Sequence, residues 1–191
     1  MVASGAAGND SVNRSDLAGS RLAFVGAGVM AESIIAGLLA KEMLPPERIV
    51  ASHPRADRRA RLEERFGIAT VEGNREAAAG ADFVLLTIKP QALTAVMKQL
   101  HGRLEPRQVA LSIIAGASLD SLRRGIGHDV IVRVMPNIPA QIGAGMSVWC
   151  ATDDVDDAQR GQVRAVLGAL GEELEVETEK YVDMATALSG T

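Results

Sequence analysis

Cysteine is almost missing from this chain: Cys150 is the only one in 191 residues. No intramolecular disulfide and no cysteine-built metal cluster can form from it, and it reads as a small buried hydrophobe. Aromatic residues are scarce at 3%, so the core must be assembled from Ala, Val, Leu and Ile, as in buried parallel sheets. No apolar run reaches the ~18 residues that a membrane span needs. Met1 to Ser20 lacks the apolar centre of a signal peptide, and its acids argue against a transit peptide. A disordered tail over 1–20 and a cytoplasmic location are expected. Neither sign of charge dominates; a net charge of −4 gives no general pull toward nucleic acid or acidic membranes. Histidine is limited to His53, His101 and His128, scattered over predicted loops and helix ends. No Ser-His-Asp order and no metal-ligand spacing emerges, so no metal is expected and no catalytic residue is singled out.

Apolar residues make up 47% of the chain, enough for a well-buried core, and they come in short runs. Strands are expected over Arg21–Val25, Arg48–Ser52, Ile68–Val71, Asp82–Ile88, Gln108–Ile114 and Val130–Met135. Helices are expected between them: Met30–Met43, stopped near Pro45-Pro46; Ala56–Phe66, closed by Gly67; a short one capped by Asn74; one opened by Pro90 and running to Leu100; and one capped by Ser118. Strict alternation of strand and helix predicts an α/β fold with helices on both faces of a parallel sheet. Beyond it follow a loop at Pro136–Pro139, a strand at Gly145–Cys150, a helix at Val155–Leu170, a strand at Glu173–Val176 and a helical segment from Tyr181.

The stretch Gly26-Ala27-Gly28-Val29-Met30-Ala31 falls between the first strand and the first helix. Glycines there let backbone N–H groups approach a pyrophosphate, and the helix N-terminus favours its charge. Ala31 holds the third position, small enough for close helix–strand packing. The spacing predicts a dinucleotide-binding, doubly wound, mainly parallel Rossmann sheet; a tight turn that binds nothing is the plainer alternative. NAD enzymes usually place Asp or Glu at the end of the second strand, on the ribose 2′-hydroxyl. Here the strand runs out into Ser52-His53-Pro54-Arg55, with Arg58 and Arg59 one turn on. A hydroxyl and a guanidinium suit a 2′-phosphate, so NADP(H) is favoured over NAD(H). Taken alone, Arg58 and Arg59 each read better as part of a solvated helix face, and Ser52 and Arg55 are the stronger pair.

Five blocks resemble pyrroline-5-carboxylate reductase, in order. Thr87-Ile88-Lys89-Pro90 is similar to that family's A-V-K-P, and Ser112-Ile113-Ile114-Ala115-Gly116 to its S-I-x-A-G. Arg133-Val134-Met135-Pro136-Asn137-Ile138-Pro139-Ala140 resembles R-x-M-P-N-x-P-A, and Gly143-Ala144-Gly145-Met146 the segment after it. Ala187-Leu188-Ser189-Gly190 resembles the start of the family signature. The resemblance implies NADPH-dependent reduction of 1-pyrroline-5-carboxylate to proline. It implies that Gly26 to Met30 cradle the pyrophosphate, that Ser52 takes the 2′-phosphate, with Arg55 as a helper on physical grounds, and that Asn74 lies near the adenosine. Thr87, Ile88, Lys89 and Pro90 would line the nicotinamide-side ribose, Ala115 and Gly116 the nicotinamide, and Pro136 and Asn137 a substrate-side loop. Taken singly, Lys89-Pro90 could merely end a strand, Asn74 cap a helix, Gly116 make a turn and Asn137 shape a loop.

By the same resemblance, a nucleotide-binding domain is expected at 21–178 and the start of the family's second, helical dimerisation domain at 179–191. Its S-P-G-G-[AT]-T segment, which holds the substrate carboxylate, does not occur. The chain is therefore expected to bind NADPH and reduce substrate poorly, and Val182, Met184 and Leu188 are expected to lack partners. A homo-oligomer is implied by the resemblance. Two other readings stay open: a 3-hydroxyisobutyrate-type dehydrogenase, and a non-catalytic NADP-binding module.

Overall fold

A computed structural model describes residues 17–137 and 145–189. Its strands are β1 (Leu22–Val25), β2 (Ile49–Ser52), β3 (Ala69–Val71), β4 (Phe83–Leu86), β5 (Val109–Ser112), β6 (Ile131–Pro136), β7 (Gly145–Ala151) and β8 (Gly171–Glu175). They form one sheet in the order β3-β2-β1-β4-β5-β6-β7-β8. All neighbours are parallel except β6 and β7, where Pro136 pairs with Ser147. The helices are α1 (Val29–Ala40), α2 (Ala56–Phe66), α3 (Asn74–Ala78), α4 (Leu93–Leu100), α5 (Leu119–Ile126), α6 (Asp157–Gly168) and α7 (Glu179–Ser189).

Alternate residues of each strand feed two separate cores, because successive side chains point to opposite faces. Phe24, Ala51, Leu85, Leu111 and Val134 join Ile34, Ile35, Leu38, Leu62 and Val166 of α1, α2 and α6. Val25, Val50, Leu86, Ala110 and Ile131 join Ala77, Val96, Leu100, Leu122 and Ile126 of α3, α4 and α5. Helices on both faces and an aliphatic core are thus as the sequence predicts; Trp149 and Phe24 and Phe83 are the aromatic exceptions.

Helix ends follow local chemistry. Gly67 closes α2 in the left-handed conformation (φ 66), and Ser118 accepts from the Ser121 N–H at the start of α5. Asp156 and Gln159 cap α6 reciprocally, which starts that helix at Asp157 rather than at Val155. Other boundaries need correction. Strands β4 and β5 are shorter than expected, since their ladders stop at Leu86 and Ser112, where the chain turns out of the sheet. A 3-10 turn at Pro90–Ala92 precedes α4. Asn74 is no cap: Gly73 stands at the N-cap of α3, without a side-chain bond. Leu17, assigned to the tail, is wholly buried in the α1-side core; the tail over 1–16 lies outside the described residues, as does the loop at 138–144.

Val182, expected to lack a partner, is buried, while Met184 is half exposed; the Leu188 side chain lies outside the described residues. Among the described residues no helix is long and apolar enough to cross a membrane.

Cys150, opposite Arg133 in the β6–β7 ladder, is 2% exposed. Burial, reinforced by the Glu179 carboxylate, pushes its thiol from an ordinary 9.0 up to about 11. The folded state therefore favours the neutral thiol. That stability is complete below pH 9 and is lost as pH rises from there through about 11. The wild-type chain should lose stability relative to Cys150→Ala with a slope approaching about 1.4 kcal/mol per pH unit in that window, measured by urea unfolding at stepped pH.

Candidate dinucleotide site

The strand order reverses direction between β1 and β4, and crevices at such a switch point hold ligands in open α/β sheets. One row of paired residues crosses the sheet there: Val71, Ser52, Val25, Leu86, Ser112 and Arg133. The singled-out segments that follow β1, β2, β4 and β5 leave the sheet just past this row, along one edge.

The glycine turn is tied to both neighbours. Gly26 and Ala27 donate their N–H groups to Ser52 O at 3.3 and 3.1 Å, and Thr87 donates through Oγ1 to Gly26 O at 2.5 Å. Gly26 has φ +93, and a Cβ there would lie 2.3 Å from Ile88 Cγ2 and 3.1 Å from the Ile88 backbone. Gly28 donates its N–H to Gly26 O at 3.0 Å, so three of the amides expected to face a pyrophosphate are spent inside the fold. The donors left for an anion start with the first turn of α1. Gly28 is its N-cap (φ −87, ψ −173) and offers no side chain to it. A Cβ on Gly28 would meet only Thr87 O, at 3.8 Å. Nothing among the described residues demands glycine there, which leaves room for a ligand. Val29 beside it is 61% exposed.

Glu32 in that first turn would repel an anion, yet it is held by Arg58 and, at 2.8 Å, by Arg65. Arg58 also donates to Ala27 O at 3.4 Å. The sequence did not single out Glu32; its partners come from α2, and only the fold brings them together.

On the β2 side the expected residues divide. Ser52 is fully buried and donates to Asn74 Oδ1 at 2.7 Å; Asn74 in turn donates to Gln99 Oε1 at 2.8 Å. Ser52 therefore lies beneath the surface and orients Asn74, which is half-buried. Arg55 is exposed at the N-cap of α2 and bonded to Asp57, Nε to Oδ1, at 3.0 Å. Hydrogen bonding to Asp57 raises the Arg55 guanidinium above its ordinary value and lowers the carboxyl. Arg59 bridges His53 O at 2.7 Å and Pro54 O at 3.0 Å, fixing the loop. Desolvation pushes the His53 imidazole below its ordinary 6.5, so it is neutral at pH 7.

On the β4–β6 side, Thr87 is nearly buried under the turn, Ile88 packs against the Val84–Leu86 core, and Lys89 and Pro90 are exposed. Ala115 and Gly116 stand exposed after β5, with Gly116 at φ +76. Strand β6 continues three residues past the row, so Pro136 and Asn137 overhang the edge by about 10 Å. Asn137 donates its N–H to Met146 O at 3.2 Å, while its shielded Oδ1 finds no donor among the described residues.

Strand β6 carries one further feature that sequence reasoning quoted without a role. Arg133 is buried and donates to Glu179 Oε1 at 2.9 Å and Asp183 Oδ1 at 2.6 Å on α7.

Comparison with known proteins agrees with this architecture. The chain is 43% identical over 172 residues to a pyrroline-5-carboxylate reductase of Pseudomonas aeruginosa, covering 90% of this chain and 63% of that protein. It superposes on the pyrroline-5-carboxylate reductase of Coxiella burnetii with TM-score 0.85 and 31% identity, over 89% of this chain and 63% of the other. The Plasmodium falciparum pyrroline carboxylate reductase, solved with NADP bound, gives TM-score 0.79 and 25% identity over 90% and 63%. The resemblance read from the motifs is borne out, and the chain spans 63% of the length of these relatives. Residues 21–116 also match the family described as NADP oxidoreductase, coenzyme F420-dependent, and to that family the chain belongs.

Proposed function

We propose that the chain is the nucleotide-binding part of an NADPH-dependent pyrroline-5-carboxylate reductase. The open space over Gly28, at an uncapped helix N-terminus, carries the reading. The first-turn amides of α1, at Val29 and Met30, would hold the pyrophosphate, with Gly26, Ala27 and Gly28 shaping the turn. Asn74, oriented by Ser52, would face the adenosine ribose, and Arg55 its 2′-phosphate. Thr87, Ile88, Lys89 and Pro90, then Ala115 and Gly116, would border the nicotinamide half, and Pro136 and Asn137 the substrate. When bound, the cofactor supplies a hydride, which the C=N carbon of protonated 1-pyrroline-5-carboxylate accepts to give proline. A protonated imine is already electrophilic, so the chain's task is to bind and orient; no acid–base pair is required of it.

The same reading takes 21–178 as the nucleotide-binding unit and 179–191 as the start of a helical one. It includes a cytoplasmic location, and a homo-oligomer, the latter in keeping with the exposed Tyr181 and Met184 of α7.

The test is a fluorescence titration of the chain with NADPH and NADH. NADPH should bind about tenfold to a hundredfold tighter, the worth of one charge-assisted contact. Equal affinities, or none, overturn the reading. The Arg55–Asp57 pair is solvent-exposed and contributes little to stability, so Arg55→Ala should leave the melting temperature unchanged. It should cost NADPH about tenfold in Kd and NADH nothing.

A further inference from the structure

We infer that Arg133 is a positioning residue for the nicotinamide half of the site, acting through Glu179; this rests on the NADPH reading above. Three bonds converge on one place. Arg133, sunk in β6, donates to Glu179 and to Asp183. The same Glu179 Oε1 accepts the Leu119 N–H at 2.7 Å. Leu119 is the first residue of α5, and Ser118 before it is that helix's cap.

The consequence lies in the loop between Ser112 and Leu119. One end leaves the sheet at Ser112, where the Oγ accepts from Ile114 N–H at 3.3 Å. The other end is held by Glu179, which Arg133 fixes. Ala115 and Gly116 lie between these anchors, both exposed, with Gly116 in a left-handed conformation that imposes no contact of its own. In a sheet of order 3-2-1-4-5-6 the two nucleotide halves straddle the switch point. The loop after β5 is therefore on the nicotinamide side, and the adenosine is held across β1 to β3.

Arg133 suits the task for physical reasons. Its planar fork holds two carboxylates at once in a fixed geometry, which the rotatable point charge of a lysine does not impose. A buried pair contributes geometry more dependably than stability. Glu179 is 29% exposed and Asp183 63%, so either can be altered without opening the core.

The test compares NADPH with 2′,5′-ADP, which carries only the adenosine half. Wild type, Glu179→Ala, Glu179→Gln and Arg133→Lys are titrated with both ligands, with melting temperatures recorded alongside. In Glu179→Ala the NADPH Kd should rise about tenfold, the loss of one charge-assisted contact, while that of 2′,5′-ADP stays within about twofold. Glu179→Gln keeps an oxygen for Leu119 N–H and should recover most of the NADPH affinity. Arg133→Lys should fall between. Parallel weakening of both ligands, or no change in either, overturns the inference. A wild-type chain that binds 2′,5′-ADP but discriminates neither NADPH nor its variants overturns it as well, whereas a wild-type chain that binds neither ligand fails the NADPH reading itself.

Discussion

Gly26→Ala is expected to destabilise the chain by about 3 kcal/mol and to lower its melting temperature by about 10 °C. Two costs add. A side chain at φ +93 is strained by about 1–2 kcal/mol. The added Cβ also meets Ile88 Cγ2 at 2.3 Å and the Ile88 backbone at 3.1 Å, and overpacking of this kind costs about 1–3 kcal/mol. The Ile88 methyl can rotate away, but its Cα and N belong to the segment leaving β4, which Thr87 ties to the turn. Relief therefore means moving the turn itself. Thermal and urea unfolding check the size of the effect; a change under about 1 kcal/mol would show that the turn adapts.

Gly28→Asp should do the reverse. Gly28 has extended backbone that any residue adopts, and a Cβ there meets nothing closer than 3.8 Å. Aspartate is a good N-cap, so the helix should gain a few tenths of a kcal/mol. An anionic carboxylate placed at the same amides would nevertheless compete with the diphosphate and repel it. At an effective dielectric constant near 20 this is worth about 3 kcal/mol, or about a hundredfold in the NADPH Kd. A melting temperature held or raised, together with lost NADPH binding, is the expected pair of results. Retained binding would remove the anion from the α1 terminus. Two glycines two residues apart thus answer different demands: one belongs to the fold, the other to the ligand.

The sheet was legible because its signal is local. Apolar runs of strand length, each closed by glycine, proline or a capping residue, recur along the chain, and α2 occupies the expected Ala56–Phe66 with Gly67 after it. Where reading failed, the cause was non-local. Leu17 looks like one apolar residue in a polar tail until the core on the α1 side of the sheet takes it in. Asn74 has the composition of a cap, but Ser52, 22 positions away, draws its side chain off. Val182 belongs to a helix that seemed to face nothing, yet it is buried, and α7 lies against β6 and β7. In the site, the glycine turn and the absence of an acid after β2 could be read directly. Which amides remain free, that Ser52 points inward, and that Glu32 is neutralised by two arginines of α2 depend on strand order, which no single motif encodes.

The sealed thiol of Cys150 makes the chain its own probe of opening. Alkylating reagents attack the thiolate, which the native state both hides and suppresses. The modification rate at pH 8 therefore counts excursions that expose this thiol, which lies near Arg133, Glu179 and Asp183, with no competing cysteine to correct for. Any ligand that closes the crevice should slow that reaction in proportion to its occupancy, giving a binding readout that needs no label and no turnover.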